Sequence, residues 1–186
     1  MASIATTSGE WTYERYLQLD DDQRYEIIDG ELLVPPAPDT RHQRAVSKLG
    51  LRFLQFVNEQ RAGEIFLAPT DVVLGENRVV QPDILFIREE RVAEIVGERA
   101  IHGAPDLVVE ILSPTSLHRD RHRKRALYAR TGVPEYWIVD PANRAIEVFA
   151  LGEGGYELIS FAAETGRVES RVLEGFRVEV TEIMGR

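Results

Sequence analysis

Three acids and a lysine combine chemistry-bearing side chains with surroundings that a plain fold would fill differently. Glu110 stands in the apolar run LVVEIL (107–112), and Asp83 in VVQPDILFI (79–87). Glu26 lies beside Ile27 and Ile28 in RYEIIDGEL (24–32). A carboxylate taken out of water is costly unless a cation, a proton or hydrogen bonds compensate. Side chains alternate along a strand, so Asp83 shares a face with Leu85 and Ile87, and Glu110 with Val108 and Leu112. If those strands are neighbours in register, the two carboxylates converge on one cation. Hard oxygen ligands suit Mg²⁺ or Mn²⁺, ions that retain water and favour phosphate substrates. The bland reading pairs each acid with one of the chain's twenty arginines, and lets Glu26 face solvent from a half-exposed strand.

Lysine is scarce: only Lys48 and Lys124 occur, and Lys124 sits inside an arginine-rich segment. A compact ammonium can orient or help deprotonate a water, which a permanently protonated guanidinium cannot. Asp120, Lys124 and Tyr128 recur every fourth residue, one face of a helix; the plain alternative is an Asp120–Lys124 surface pair. Accessory candidates are Gln81, two residues before Asp83, and His42, which could approach a phosphate or Glu26 or simply cap a helix. His118 and His122 have helical metal-pair spacing but no accompanying HExxH-type glutamate. The absence of cysteine excludes disulfides, thiolate metal sites and a thiol nucleophile. No GxxxxGK loop is present, and Ser113 lacks a GxSxG context.

Charge is uneven. Residues 117–130 carry Arg119, Arg121, Arg123, Lys124, Arg125 and Arg130 against Asp120 alone, a local +5 on a chain of net −9. A basic helix on an acidic body suits a phosphate-facing surface or an acidic partner protein. Length (186 residues) and ordinary composition suit one domain over 1–186, with 1–10 as an N-terminal tail. With neither a signal-peptide pattern nor a long apolar run, a soluble cytoplasmic protein without membrane contact is expected.

The elements that must position these residues can be read in order. A short helix is predicted from Thr12 to Leu19, and Asp29-Gly30 marks a hairpin inside 24–32. Asp39 or Thr40 caps a helix to about Gln60 with Val46, Leu49, Phe53, Leu54 and Val57 on its buried face. Residues 64–75 read as two short strands broken at Pro69, 79–87 as one apolar strand whose buried part opens at Gln81-Pro82-Asp83, and 88–99 as a surface helix. A buried strand over 104–113 is followed by the basic helix, which starts after Pro114 and stops at Gly132. Strands at 135–140, 145–150 and 156–161 form a meander, and 167–180 supplies one or two edge strands. Together they predict an α/β domain of three layers, a mixed central sheet flanked by helices with a C-terminal β-meander.

RYEIIDGEL, VVQPDILFI, APDLVVEILSPTS, the Asp120–Lys124–Tyr128 spacing and GVPEYWIVDP (132–141) together resemble the Uma-type restriction endonucleases of the PD-(D/E)XK nuclease superfamily. The resemblance spans roughly residues 11–180. It implies a restriction-endonuclease-like fold and Mg²⁺-dependent (or Mn²⁺-dependent) hydrolysis of phosphodiester bonds in DNA. Glu26, Asp83 and Glu110 match the family's acids, as catalytic residues and metal ligands. The usual lysine position two residues after the second acid holds Leu112, and Lys124 matches a relocated catalytic lysine. Arg119, Arg121, Arg123 and Arg125 are the expected contacts to nucleic acid. Cutting both strands of a duplex would favour a homodimer. The competing expectations are an inactive nucleic-acid- or partner-binding module on the same fold, and a hydrolase of small phosphate esters.

Overall fold

The computed structural model of the protein describes residues 10–21, 23–35, 37–113 and 119–185, and of Arg119, Asp120 and Arg121 only the backbone. The expected N-terminal tail, apart from Glu10, lies outside the described residues, as do the start of the basic helix and His118. No helix among the described residues is long and apolar enough to cross a membrane.

A one-turn helix α1 (Tyr13–Tyr16), capped by the Thr12 hydroxyl, precedes the hairpin of β1 (Glu26–Ile28) and β2 (Glu31–Leu33). Asp29 and Gly30 both adopt positive φ (51° and 80°), the twist a two-residue hairpin turn demands. Helix α2 (Thr40–Gln60) begins where the Asp39 carboxylate accepts the His42 amide, and buries Leu49, Phe53 and Val57. Next come β3 (Gly63–Leu67), β4 (Val72–Gly75), β5 (Arg78–Val80), β6 (Ile84–Arg88), α3 (Glu89–Ile95), the two-residue β7 (Ile101–His102) and β8 (Leu107–Ile111). A π-helical segment (Arg119–Lys124) leads into α4 (Arg125–Thr131), which ends at Gly132 with φ 83°. The chain closes with β9 (Glu135–Asp140), β10 (Ala145–Gly152), β11 (Gly155–Ala163), the ribbon β12 (Arg167–Glu169) and β13 (Arg177–Glu179), and α5 (Val180–Met184).

The central sheet has the order β11-β10-β9-β8-β6-β3, with β8 and β9 parallel and every other pair antiparallel. The C-terminal meander is thus continuous with this sheet. Helices α2 and α5 cover one face, where Phe53, Trp137 and Phe176 meet. The opposite face packs against α4 and a second sheet of order β2-β1-β5-β4-β7. The result is a mixed sheet between two covering layers.

Two expectations need correction. The run 79–87 is not one strand: β5 belongs to the second sheet and β6 to the central one, and the chain crosses between them at Gln81, Pro82 and Asp83. Proline has no amide to give a ladder, so the crossing falls there. Asp83 therefore heads β6 and does not sit within a strand. Secondly, the basic helix is π-wound before Lys124, an irregularity that no periodicity announced.

Candidate active site

Sheet register brings the first two acids together. In the antiparallel β6–β8 pair Ile84 faces Val109, and Asp83 and Glu110 follow one step beyond, on the side shared by Leu85, Val108 and Leu112. The Ile111 amide donates to Asp83 Oδ2 at 2.7 Å, tying the two segments at the site. Glu26 comes from the second sheet, where its Oε1 accepts the Gln81 amide at 3.0 Å. Both glutamates are buried.

Lys124 joins them. Its Nζ lies 2.7 Å from Glu26 Oε1 and 2.9 Å from Glu110 Oε1, and the side chain is fully enclosed. An ammonium so far from water is tolerable because both neighbours are carboxylates at contact distance. Lys124 is therefore not on the surface, as the simple Asp120–Lys124 pair would have it, and the Asp120 side chain lies outside the described residues. Tyr128 donates its hydroxyl to the same Glu110 oxygen at 2.6 Å. Burial, then the adjacent Glu110 charge, pushes the Tyr128 hydroxyl well above its ordinary pKa, so it stays a donor.

His42 reaches the site: its Nε2 is 3.1 Å from Asp83 Oδ2. It is positioned by the start of α2, not exposed as a surface histidine. Both hydrogen bonds of Asp83 fall on Oδ2, so Oδ1 accepts none among the described residues. Gln81 acts twice, through its amide on Glu26 and through Nε2 on Asp71 Oδ1 at 2.8 Å. Asp71, also approached by the Tyr16 hydroxyl at 3.4 Å, has its pKa raised mainly by burial. Neither Asp71 nor Tyr16 stands in an apolar run, so no sequence signal marked them.

Of these residues, Glu26, His42, Gln81, Asp83, Glu110 and Lys124 line one cavity of about 510 Å³. Among the described residues its one arginine is Arg24, which the charge pattern did not single out. The arginines after Arg121 point elsewhere. Arg123 pairs with Glu31 at 2.7 Å, and Arg130 with Asp29 at 2.9 Å. Arg125 lies 4.3 Å from the Phe149 ring centroid and donates to the Tyr156 carbonyl. The side chains of Arg119 and Arg121 lie outside the described residues, and His122 is exposed.

As for a metal, no group of three His, Asp or Glu among the described residues could hold an ion as arranged, so the expected three-carboxylate set is not closed. The Lys124 ammonium stands between Glu26 and Glu110. The donors nevertheless fit a hard divalent cation: Asp83 and Glu110 line one cavity from adjacent strands, and Asp83 Oδ1 accepts no hydrogen bond from the described residues.

A mixed sheet covered on both faces, with its acids at the β6 and β8 ends, is the architecture of the restriction-endonuclease-like proteins. A solved structure described as "a putative nuclease belonging to DUF820 from Anabaena variabilis" superposes with a TM-score of 0.77 at 20% identity, covering 94% of this chain and 97% of that one. The chain belongs to the Uma2 family, described as "Putative restriction endonuclease", which matches residues 13–181. No curated protein matches it.

Proposed function

We propose that the protein is a metal-dependent endonuclease hydrolysing phosphodiester bonds of DNA, working as a single domain, and as a homodimer where both strands of a duplex are cut. One observation carries this reading: Glu26, Asp83, Glu110 and Lys124, from four separate segments, all line the same cavity. Asp83 and Glu110 would hold the ion, with Glu26 behind them across Lys124. A bound Mg²⁺ or Mn²⁺ would lower the pKa of its water and offset charge gathering on the phosphoryl oxygens. The protein's own groups do the rest. His42 Nε2, 3.1 Å from Oδ2, and the Ile111 amide, which donates to Oδ2, hold the Asp83 carboxylate in place. Tyr128 steadies Glu110, and Lys124 positions the attacking water by hydrogen bonding. Water adds to phosphorus as the P–O bond to the leaving deoxyribose oxygen breaks; the attacking water gives up one proton to solvent and the leaving oxygen takes one up.

Plasmid cleavage with Mg²⁺ tests the assignment. Wild type should nick or linearise DNA, while Asp83→Ala and Glu110→Ala should not; equal cleavage by all three discards it. The second reading, a non-cleaving nucleic-acid or partner-binding module, draws on the ammonium lodged between Glu26 and Glu110. It requires that Mg²⁺ and Mn²⁺ leave the melting temperature unchanged.

A further inference from the structure

The described arginines of the basic helix are poorly placed to hold a polyanion. Arg123 and Arg130 are already answered by carboxylates at 2.7 and 2.9 Å, and Arg125 lies against the Phe149 ring. A phosphate reaching the first two must displace an acid, which leaves little net attraction. Helix α2 is different. It carries Arg41, Arg44, Lys48 and Arg52 against Glu59 alone, on a chain of net −9.

Spacings of three, four and four residues put these cations on one side of the helix, turned away from the buried Leu49 and Phe53. The row is about 17 Å long at a rise of about 1.5 Å per residue. Arg41, Arg44 and Arg52 are exposed. Their carboxylate neighbours are loose: Arg41 stands 3.8 Å from Asp39 and Arg52 3.8 Å from Glu182, both beyond hydrogen-bond length. Among the described residues, Arg44 and Lys48 form no ion pair. These side chains can therefore turn to phosphate without first breaking a close pair.

The row also begins at the site. Arg41 and Arg44 bracket His42 and Gln43 in the chain, and those two line the cavity with Asp83 and Glu110. Arg24, exposed on the segment before β1, lines the same cavity. A DNA duplex presents a stiff, dense line of charge, one per ~1.7 Å of its axis. A straight row of cations on a rigid helix matches such a rod.

We infer that the outer face of α2 grips duplex DNA, with Arg41, Arg44, Lys48 and Arg52 on backbone phosphates and Arg24 on a phosphate beside the cavity. This deepens the nuclease reading and rests on it. The test is fluorescence anisotropy of a labelled duplex with Ca²⁺ in place of Mg²⁺, at salt from about 50 to 200 mM. In the double variant Arg41→Gln/Arg44→Gln the slope of log affinity against log salt should become shallower by about 2. Arg123→Gln/Arg130→Gln should leave that slope unchanged, with melting temperatures showing that both variants are folded. An unchanged slope in the α2 variant, or no duplex binding by wild type, overturns the inference; plasmid cleavage by wild type would then leave the nuclease reading standing. Poly-glutamate bound as tightly as duplex would assign the row to an acidic protein and overturn it too. A lowered slope without plasmid cleavage supports the surface and removes the nuclease chemistry.

Discussion

Two glutamates in adjacent parallel strands meet opposite fates. Glu110 of β8 and Glu135 of β9 both lie in apolar strands, both are buried, and they sit three residues apart in the ladder's register. Glu135 is surrounded by neutral donors. Its Oε1 accepts Trp137 Nε1 at 2.7 Å and the Ser170 hydroxyl at 2.6 Å, and its Oε2 accepts the amides of Arg171 and Val172 at 2.6 and 2.9 Å. It fastens the chain between β12 and β13 to the central sheet, away from the cavity. Glu110, on the other face, is held by an ammonium and a phenol at the wall of a pocket. An acid saturated with neutral donors is a fastener. One balanced by a neighbouring cation beside open space keeps its charge available to a ligand.

The sharpest way to break this contrast is to remove each acid. Glu135→Ala strands four donors and should cost about 3–5 kcal/mol in urea unfolding. Any loss of cleavage should follow the unfolded fraction alone. Glu110→Gln should behave in the opposite sense, losing about a hundredfold or more in cleavage while stability changes by only about 1 kcal/mol. Comparable stability losses from both substitutions would erase the distinction.

Lys124→Met leaves Glu26 and Glu110 buried without their cation, at a cost of about 2–4 kcal/mol. Adding Glu26→Gln should recover part of it in a double-mutant cycle. Tyr128→Phe should cost about 1–2 kcal/mol by removing a hydrogen bond to a charged group. The folded protein holds the Tyr128 proton more tightly than the unfolded chain. Its contribution is therefore complete below the ordinary tyrosine value of 10.0 and is lost as pH rises beyond it. The phenylalanine variant should accordingly show a shallower alkaline decline in melting temperature.

The smallest effect is expected at Asp71, whose raised pKa means the fold favours its protonated form. That preference stabilises below the ordinary value of 3.8 and is lost as pH climbs through the folded pKa above it. Asp71→Asn should thus gain stability relative to wild type at neutral pH and little near pH 3.8, as thermal melts at the two pH values would show.

Much of the fold was legible because its signals are local. The Asp29-Gly30 turn, the Asp39 cap with the stripe of α2, and Gly132 as the stop of α4 each reside within a few neighbouring residues. The placement of Asp83 and Glu110 was partly legible for a related reason: burial of their flanks follows from apolar composition and the face of each from alternation, while the pairing of the two strands came from the fold. The break at Pro82 was partly visible, yet assigning β5 and β6 to different sheets needed the long-range partners of each. Nothing in EYWIVD separates Glu135 from Glu110 in LVVEI, so the fastener carries the same local mark as the site residue.

By itself the sequence determined that carboxylates would be enclosed among apolar strands, that a lone lysine would lie in an arginine-rich helix, and which turns would fold the chain back. Tertiary structure alone decided which group answers each charge. Lys124 meets Glu26 and Glu110, His42 meets Asp83, and Arg123 is drawn to Glu31. The reason is that a buried charge is settled by whichever donors come within about 3 Å, and here those donors arrive from segments far apart in the chain.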